Sequence, residues 1–187
     1  MRKPLLSVLF TGVFYLIQVC VMPYFPINGV YGNLLMAWLA VVTVSLGKKY
    51  TFWYSMLYGI LLESTQSNVP GIYLVTYPAA AMLFSLVFAD MSEKTREERL
   101  SAGKGRTTER PALLRILLCA LCEDALLHTV MIAYVTLNGS PLTIQMCLRA
   151  LQGIVLTLAA TLVIMLPCRA AMGIVKRGPR LKEETAE

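Results

Sequence analysis

The sequence predicts an all-α fold, a polytopic membrane protein with six transmembrane helices in one helical domain spanning residues 1–187. Three observations predict it. Hydrophobic residues make up 57% of the chain and charged residues only 15%, too few to solvate a soluble domain of this size. The apolar residues gather into six runs, most of which reach the roughly 17 to 25 residues a helix needs to cross about 30 Å of hydrocarbon. The clusters of Lys and Arg in the loops between those runs fall on alternate sides, the pattern that cytoplasmic retention of positive charge produces.

The first run, Leu5 to Met22, follows the basic pair Arg2-Lys3. It is longer than a signal-peptide core, and Val21-Met22-Pro23-Tyr24 is the wrong chemistry for a cleavage site, so it is read as a span. Pro23 and Pro26 stop that helix, and Tyr15, Tyr24, Phe25 and Tyr31 suit the interface on either side of the turn. The second run covers Val30 to Leu46. The third, Phe52 to Leu62, is short; it either extends to about 50–64 through Tyr50, Thr51 and Ser64 or has its ends in protein rather than lipid. The fourth, fifth and sixth cover about 72–89, 112–137 and 142–166. A polar, charged stretch over 91–111 reads as a solvated cytoplasmic linker, and 173–187 as a cytoplasmic tail.

The loops Pro23–Gly29, Thr65–Pro70 and Asn138–Pro141 contain no Lys or Arg, whereas the N-terminus, Lys48-Lys49, the linker and the tail are basic. Both termini are therefore expected in the cytoplasm. The net charge of +6 is then a topology determinant that also touches anionic lipid at the cytoplasmic face, with no need for nucleic acid as a partner. No outer loop is long enough to hold a catalytic domain.

Ionisable residues inside apolar runs are the informative ones, because an unpaired charge there costs several kcal/mol and tends to face the bundle interior. Glu63 ends the third run, Glu123 and Asp124 sit in the middle of the fifth with His128 one turn later, and Arg149 lies early in the sixth. If the sixth helix begins at Leu142, Arg149 can pair with Asp124; if it begins at Ala150, Arg149 snorkels at the outer interface. Cys119 and Cys122 form a C-x-x-C, but a metal or redox centre needs two further soft ligands and His128 faces the other way. With a lone His and no polar pocket around either thiol, no nucleophile and base pair can be assembled, so the chain is not expected to be an enzyme and no cofactor is implied. Ala81, Ser85 and Ala89 recur every four residues in the fourth run, a small-residue stripe that lets another helix approach closely, inside the bundle or on a partner.

The order of these features resembles the rod shape-determining MreD family. Here a second span opens Gly32-Asn33-Leu34-Leu35 where that family has Pro-Asn/Asp-Leu-Leu; Gly59-x-x-x-Glu63 precedes a polar segment and Gly71 where the family has Gly-x-x-x-Asp and a Gly. Asp124 matches an acidic residue common in the fifth span; Arg149 has no counterpart. The likeness covers about the first ninety residues by motif and the remainder by hydropathy. It implies a non-enzymatic inner-membrane scaffold of the bacterial cell-elongation machinery, working with the bitopic MreC, with MreB, and with RodA and a penicillin-binding protein. It also implies a fold like the membrane-embedded substrate-binding component of energy-coupling-factor transporters. That likeness supplies the alternative, a small-molecule carrier with an outer cavity lined by Tyr58, Glu63, Gln66, Asn68 and Tyr73.

Overall fold

The computed structural model describes residues 2–66, 71–89 and 112–171, with side chains from Leu5 onward and that of Gln66 excepted. The linker and tail expected at 91–111 and 173–187 lie outside these residues. The described chain is all-helical. α1 (Arg2–Leu16) continues through a wide turn at Ile17–Val21 and a tight one at Met22–Tyr24; α2 is Leu34–Leu46, α3 Lys48–Gln66, α4 Ile72–Phe88, α5 Ala112–Leu137 and α6 Ile144–Ala171.

Among the described residues three segments are long and apolar enough to cross a membrane: Leu5–Tyr24, α5 and α6. α2 and α4 are apolar but shorter, at 13 and 17 residues. The six spans expected from hydropathy are therefore not all given by the helix lengths, and the short helix falls in an unexpected place. The third helix, expected to be the short one, runs for 19 residues, because its polar ends Lys48–Thr51 and Glu63–Gln66 are helical too. The second is the short one. Its first part, Val30–Asn33, is not helical, leaving a helix about 20 Å long.

Position in the bundle explains how so short a helix is tolerated. α2 touches all five other helices, and every residue from Leu34 to Val44 is buried. Backbone that ends at membrane depth must find partners in protein, and α2 is the bundle axis rather than a lipid-facing element. Trp38 locks it to its neighbours. The Trp38 indole packs against Phe10 and Phe14 with ring centroids 5.5 and 5.4 Å away. Its Nε1 donates to Thr11 Oγ1 at 3.2 Å. Thr11 spends its one proton on the Ser7 carbonyl, so Tyr58 of α3 must be the donor in the 3.0 Å contact between the two hydroxyls.

α2 and α3 meet across the single residue Gly47, whose φ of +84° and ψ of 173° no L side chain adopts comfortably. α3 and α4 form a second close hairpin. Outside, the bundle is apolar: Leu9 and Val13 on α1, Leu86 and Val87 on α4, and Val163 on α6 are all exposed. Inside, Gln18, Thr43, Glu123, Asp124, Thr157 and Thr161 are buried. Polar groups inward and aliphatic groups outward is the arrangement expected of helices packed in lipid.

Candidate functional site: a polar cavity at one end of the bundle

The site is built where α1 and α3 finish and α2 and α4 begin, beside the middle of α5 and α6. Widening of the helix at Ile17–Val21 turns Gln18 inward, where it is buried, and single wide turns of this kind often mark functional positions. The chain then reverses at Asn28-Gly29, both with positive φ, between the paired residues Ile27 and Val30. An Asn-Gly pair is the strongest short hairpin signal a sequence carries. It went unread in the Pro-rich loop. The reversal sends Val30–Asn33 back into the bundle so closely that a Cβ on Gly32 would lie 2.9 Å from the Leu156 backbone of α6. Where the resembling family has Pro, this chain needs a residue without a side chain.

Asn33 caps α2, its Oδ1 accepting from the Met36 N–H at 3.0 Å. Three further elements satisfy the groups around it. The Asn33 N–H donates to Thr157 Oγ1 of α6 at 2.9 Å, its Nδ2 donates to Tyr77 Oη of α4 at 2.6 Å, and the Leu34 N–H donates to Gln18 Oε1 at 2.7 Å. A helix terminus that would be orphaned at membrane depth is thereby closed by side chains from α1, α4 and α6.

Beside this cap lies a cavity of about 210 Å³. Gln18, Tyr31, Asn33, Tyr73, Tyr77 and His128 give it a polar, aromatic wall, and Leu62, Leu127 and Met131 an apolar one. Behind His128 is Asp124, fully buried, with Oδ2 3.8 Å from His128 Nε2. Neither Asp124 oxygen has a donor within hydrogen-bond distance. Gly153 of α6 makes room for the imidazole, since a Cβ there would lie 2.8 Å from Nε2. Of the described residues expected to line an outer cavity, Tyr73 does so and Tyr58 and Glu63 do not. Tyr58 is buried deeper, against Thr11; the Gln66 side chain and Asn68 lie outside the described residues.

Glu63 and the two glycines around it form one structural device. The Glu63 carboxylate accepts from the Gly71 N–H, and Gly71, at φ +83°, starts α4. A Cβ on Gly59 would lie 3.0 Å from Leu74 Cα and Tyr73 O, so this is where the backbones of α3 and α4 meet. Gly-x-x-x-Glu followed by Gly is thus the signature of this helical hairpin.

Two expectations are corrected. Arg149 does not pair with Asp124: α6 begins at Ile144, and Arg149 is exposed two turns, about 12 Å, beyond Thr157. The start of α6 runs past the packed part of the bundle, so Arg149 never reaches the depth of Asp124. Ala81 and Ser85 are buried at 0% and 1% exposure, and the Ser85 hydroxyl donates to the Met82 carbonyl, so this stripe packs within the bundle and offers no face to a partner.

Glu123, adjacent to Asp124 but aimed at α2, accepts from Thr43 Oγ1 at 3.3 Å and from Cys119 Sγ at 3.4 Å. The five cysteines are free, and no group of three or more His, Cys, Asp or Glu among the described residues is placed to hold a metal. No family model, no curated protein and no solved structure matches this chain.

Proposed function

We propose that this chain is a non-enzymatic, six-span component of the bacterial inner membrane, with both termini cytoplasmic, that scaffolds the cell-elongation complex by lateral helix packing with an MreC-like bitopic partner. The observation that carries the reading is the use made of the residues that resemble the MreD family. Asn33 caps the central helix, Gly59, Glu63 and Gly71 build the α3–α4 hairpin, and Asp124 stands beside the cavity, all toward one end of the bundle. α2, α3 and α4 complete the six spans in this reading, α2 as a short helix sheltered by its neighbours and α3 and α4 as a paired hairpin. MreB, RodA and a penicillin-binding protein belong to the same assembly in this reading, and the basic segments meet anionic lipid. With Ala81 and Ser85 inside, the partner-facing surface is the exposed apolar side of α4, at Leu83, Leu86 and Val87. Co-purification with a coiled-coil bitopic membrane protein, and rounding of rod-shaped cells on depletion, are the expected results. Rod shape retained after depletion would overturn the scaffold.

The cavity favours a second reading, a carrier that presents a small molecule to an energising partner. Depletion that abolished uptake of one solute while leaving shape intact would select it.

A further inference from the structure

We infer that the cavity beside the α2 cap binds an ammonium group, carried either by a small soluble amine or by a lipid headgroup.

The argument begins with charge. Among the described residues no Lys or Arg lines the cavity. Asp124 is buried with both oxygens lacking donors, and Oε2 of Glu63, next to the lining residue Leu62, is likewise buried without a partner. A buried carboxylate left without donors is costly, and its energy falls sharply when a cation or a hydrogen-bond donor reaches it. Among the described residues the basic group in the wall is His128, which at 3.8 Å from Asp124 is within ion-pair distance but donates no hydrogen bond to it.

The aromatic groups select among donors. Tyr31, Tyr73 and Tyr77 come from three different places in the chain, the returning hairpin and two successive turns of α4, and all line the same space. Electron-rich ring faces converging on one volume attract a cation. Asp124 lies one helical turn before the lining residue His128, so its carboxylate borders the space the three rings line.

An anion is disfavoured on separate grounds. The start of a helix would ordinarily offer it backbone N–H groups. Here the Leu34 and Met36 N–H groups are already taken by Gln18 and Asn33. A volume of about 210 Å³ is smaller than the roughly 300 Å³ at which drug-sized ligand sites begin, which suits an ammonium with a short chain. The inference concerns occupancy of the cavity and is independent of the scaffold reading: a chain that binds no ammonium can still hold its partner, and the reverse.

The test uses the full chain in nanodiscs of phosphatidylglycerol, titrated calorimetrically with choline, with ethanolamine and with 3,3-dimethylbutan-1-ol, the uncharged isostere of choline. Saturable binding of at least one ammonium probe is expected, with the isostere at least tenfold weaker. Asp124→Asn should weaken the ammonium at least tenfold. Tyr73→Leu should weaken it, and Tyr73→Phe, which keeps the ring, should not. The tyrosine pair decides if Asp124→Asn does not fold, as judged by elution profile and melting temperature. Nanodiscs containing phosphatidylethanolamine or phosphatidylcholine distinguish the source: competition with the soluble probe identifies a headgroup, and its absence a soluble amine. Equal affinity for the isostere, no effect of either Asp124→Asn in a folded protein or Tyr73→Leu, or no saturable ammonium binding would each overturn the inference.

Discussion

The backbone N–H of Asn33 donates to the hydroxyl of Thr157 across 124 residues of sequence, at 2.9 Å, and this bond ties the start of α2 to the middle of α6. Thr157 is 1% exposed. Thr157→Val keeps the shape and removes the acceptor, leaving a buried N–H unsatisfied at a cost of about 1–3 kcal/mol. Thr157→Ser should be near neutral. Thermal unfolding in detergent, comparing the two variants, checks this; equal melting temperatures would show that another group takes up the proton.

Gly59 is the point of closest approach between α3 and α4. Gly59→Ala improves helix propensity by roughly 1 kcal/mol in an exposed helix, but here the added methyl meets the α4 backbone at 3.0 Å, at both Tyr73 O and Leu74 Cα. Backbone cannot rotate away as a side chain can, so the substitution should destabilise by about 1–3 kcal/mol. A melting temperature at or above that of the parent would show that the hairpin has room to open.

Glu63 holds the Gly71 N–H through one carboxylate oxygen. Glu63→Gln retains an acceptor at the same reach and should preserve the fold, whereas Glu63→Leu removes it and should cost about 1–2 kcal/mol. Glu63→Lys places a donor where a donor already points and should be the most disruptive of the three. The ranking can be read from the yield of monodisperse protein and its unfolding midpoint. Destabilisation by Gln equal to that by Leu would assign Glu63 a role in its charge rather than in capping.

Ser85 lies inside the bundle with its hydroxyl bonded to its own helix. Ser85→Leu should therefore destabilise the isolated chain by about 1–3 kcal/mol through overpacking, before any partner is considered. Leu86→Ala on the exposed side of the same helix should leave stability within about 0.5 kcal/mol. A reversed order of effects, measured on purified protein, would place Ser85 on the outside.

Topology can be read chemically in a background lacking the five native cysteines. A cysteine at Ser140, between α5 and α6, should react with an impermeant thiol reagent in intact cells. One at Ser101 should react only after permeabilisation, because the basic linker is expected on the cytoplasmic side. External labelling of Ser101 would invert or break the six-span arrangement.

Much of this molecule was legible without coordinates. The apolar runs mark where the chain is helical, since few alternatives satisfy the backbone of so apolar a sequence, and five of the six helices fall close to where hydropathy puts them. The inward acids were also legible, as charges in apolar runs are expensive and turn toward protein. Gly59, Glu63 and Gly71 stood out as a motif.

What hydropathy could not show is which helix is sheltered. Val30–Leu46 has the composition of a span, yet only packing by all five other helices lets its first four residues unwind and its remainder stay short. For the same reason Ala81 and Ser85 could be read as an outer or an inner stripe until a neighbour occupied one side. Arg149 shares a helical face with Gly153 and Thr157, so sequence spacing alone aimed it at Asp124; the depth at which α6 enters the bundle separates them. The sequence by itself determined the helical class, the apolar exterior and the residue types at the buried sites. Tertiary structure alone decided that Gln18, Asn33, Tyr77, Thr157 and His128, from five separate elements, meet around one cavity. Local periodicity carries the direction of a side chain about its own helix axis, whereas convergence depends on the relative depth and rotation of several helices.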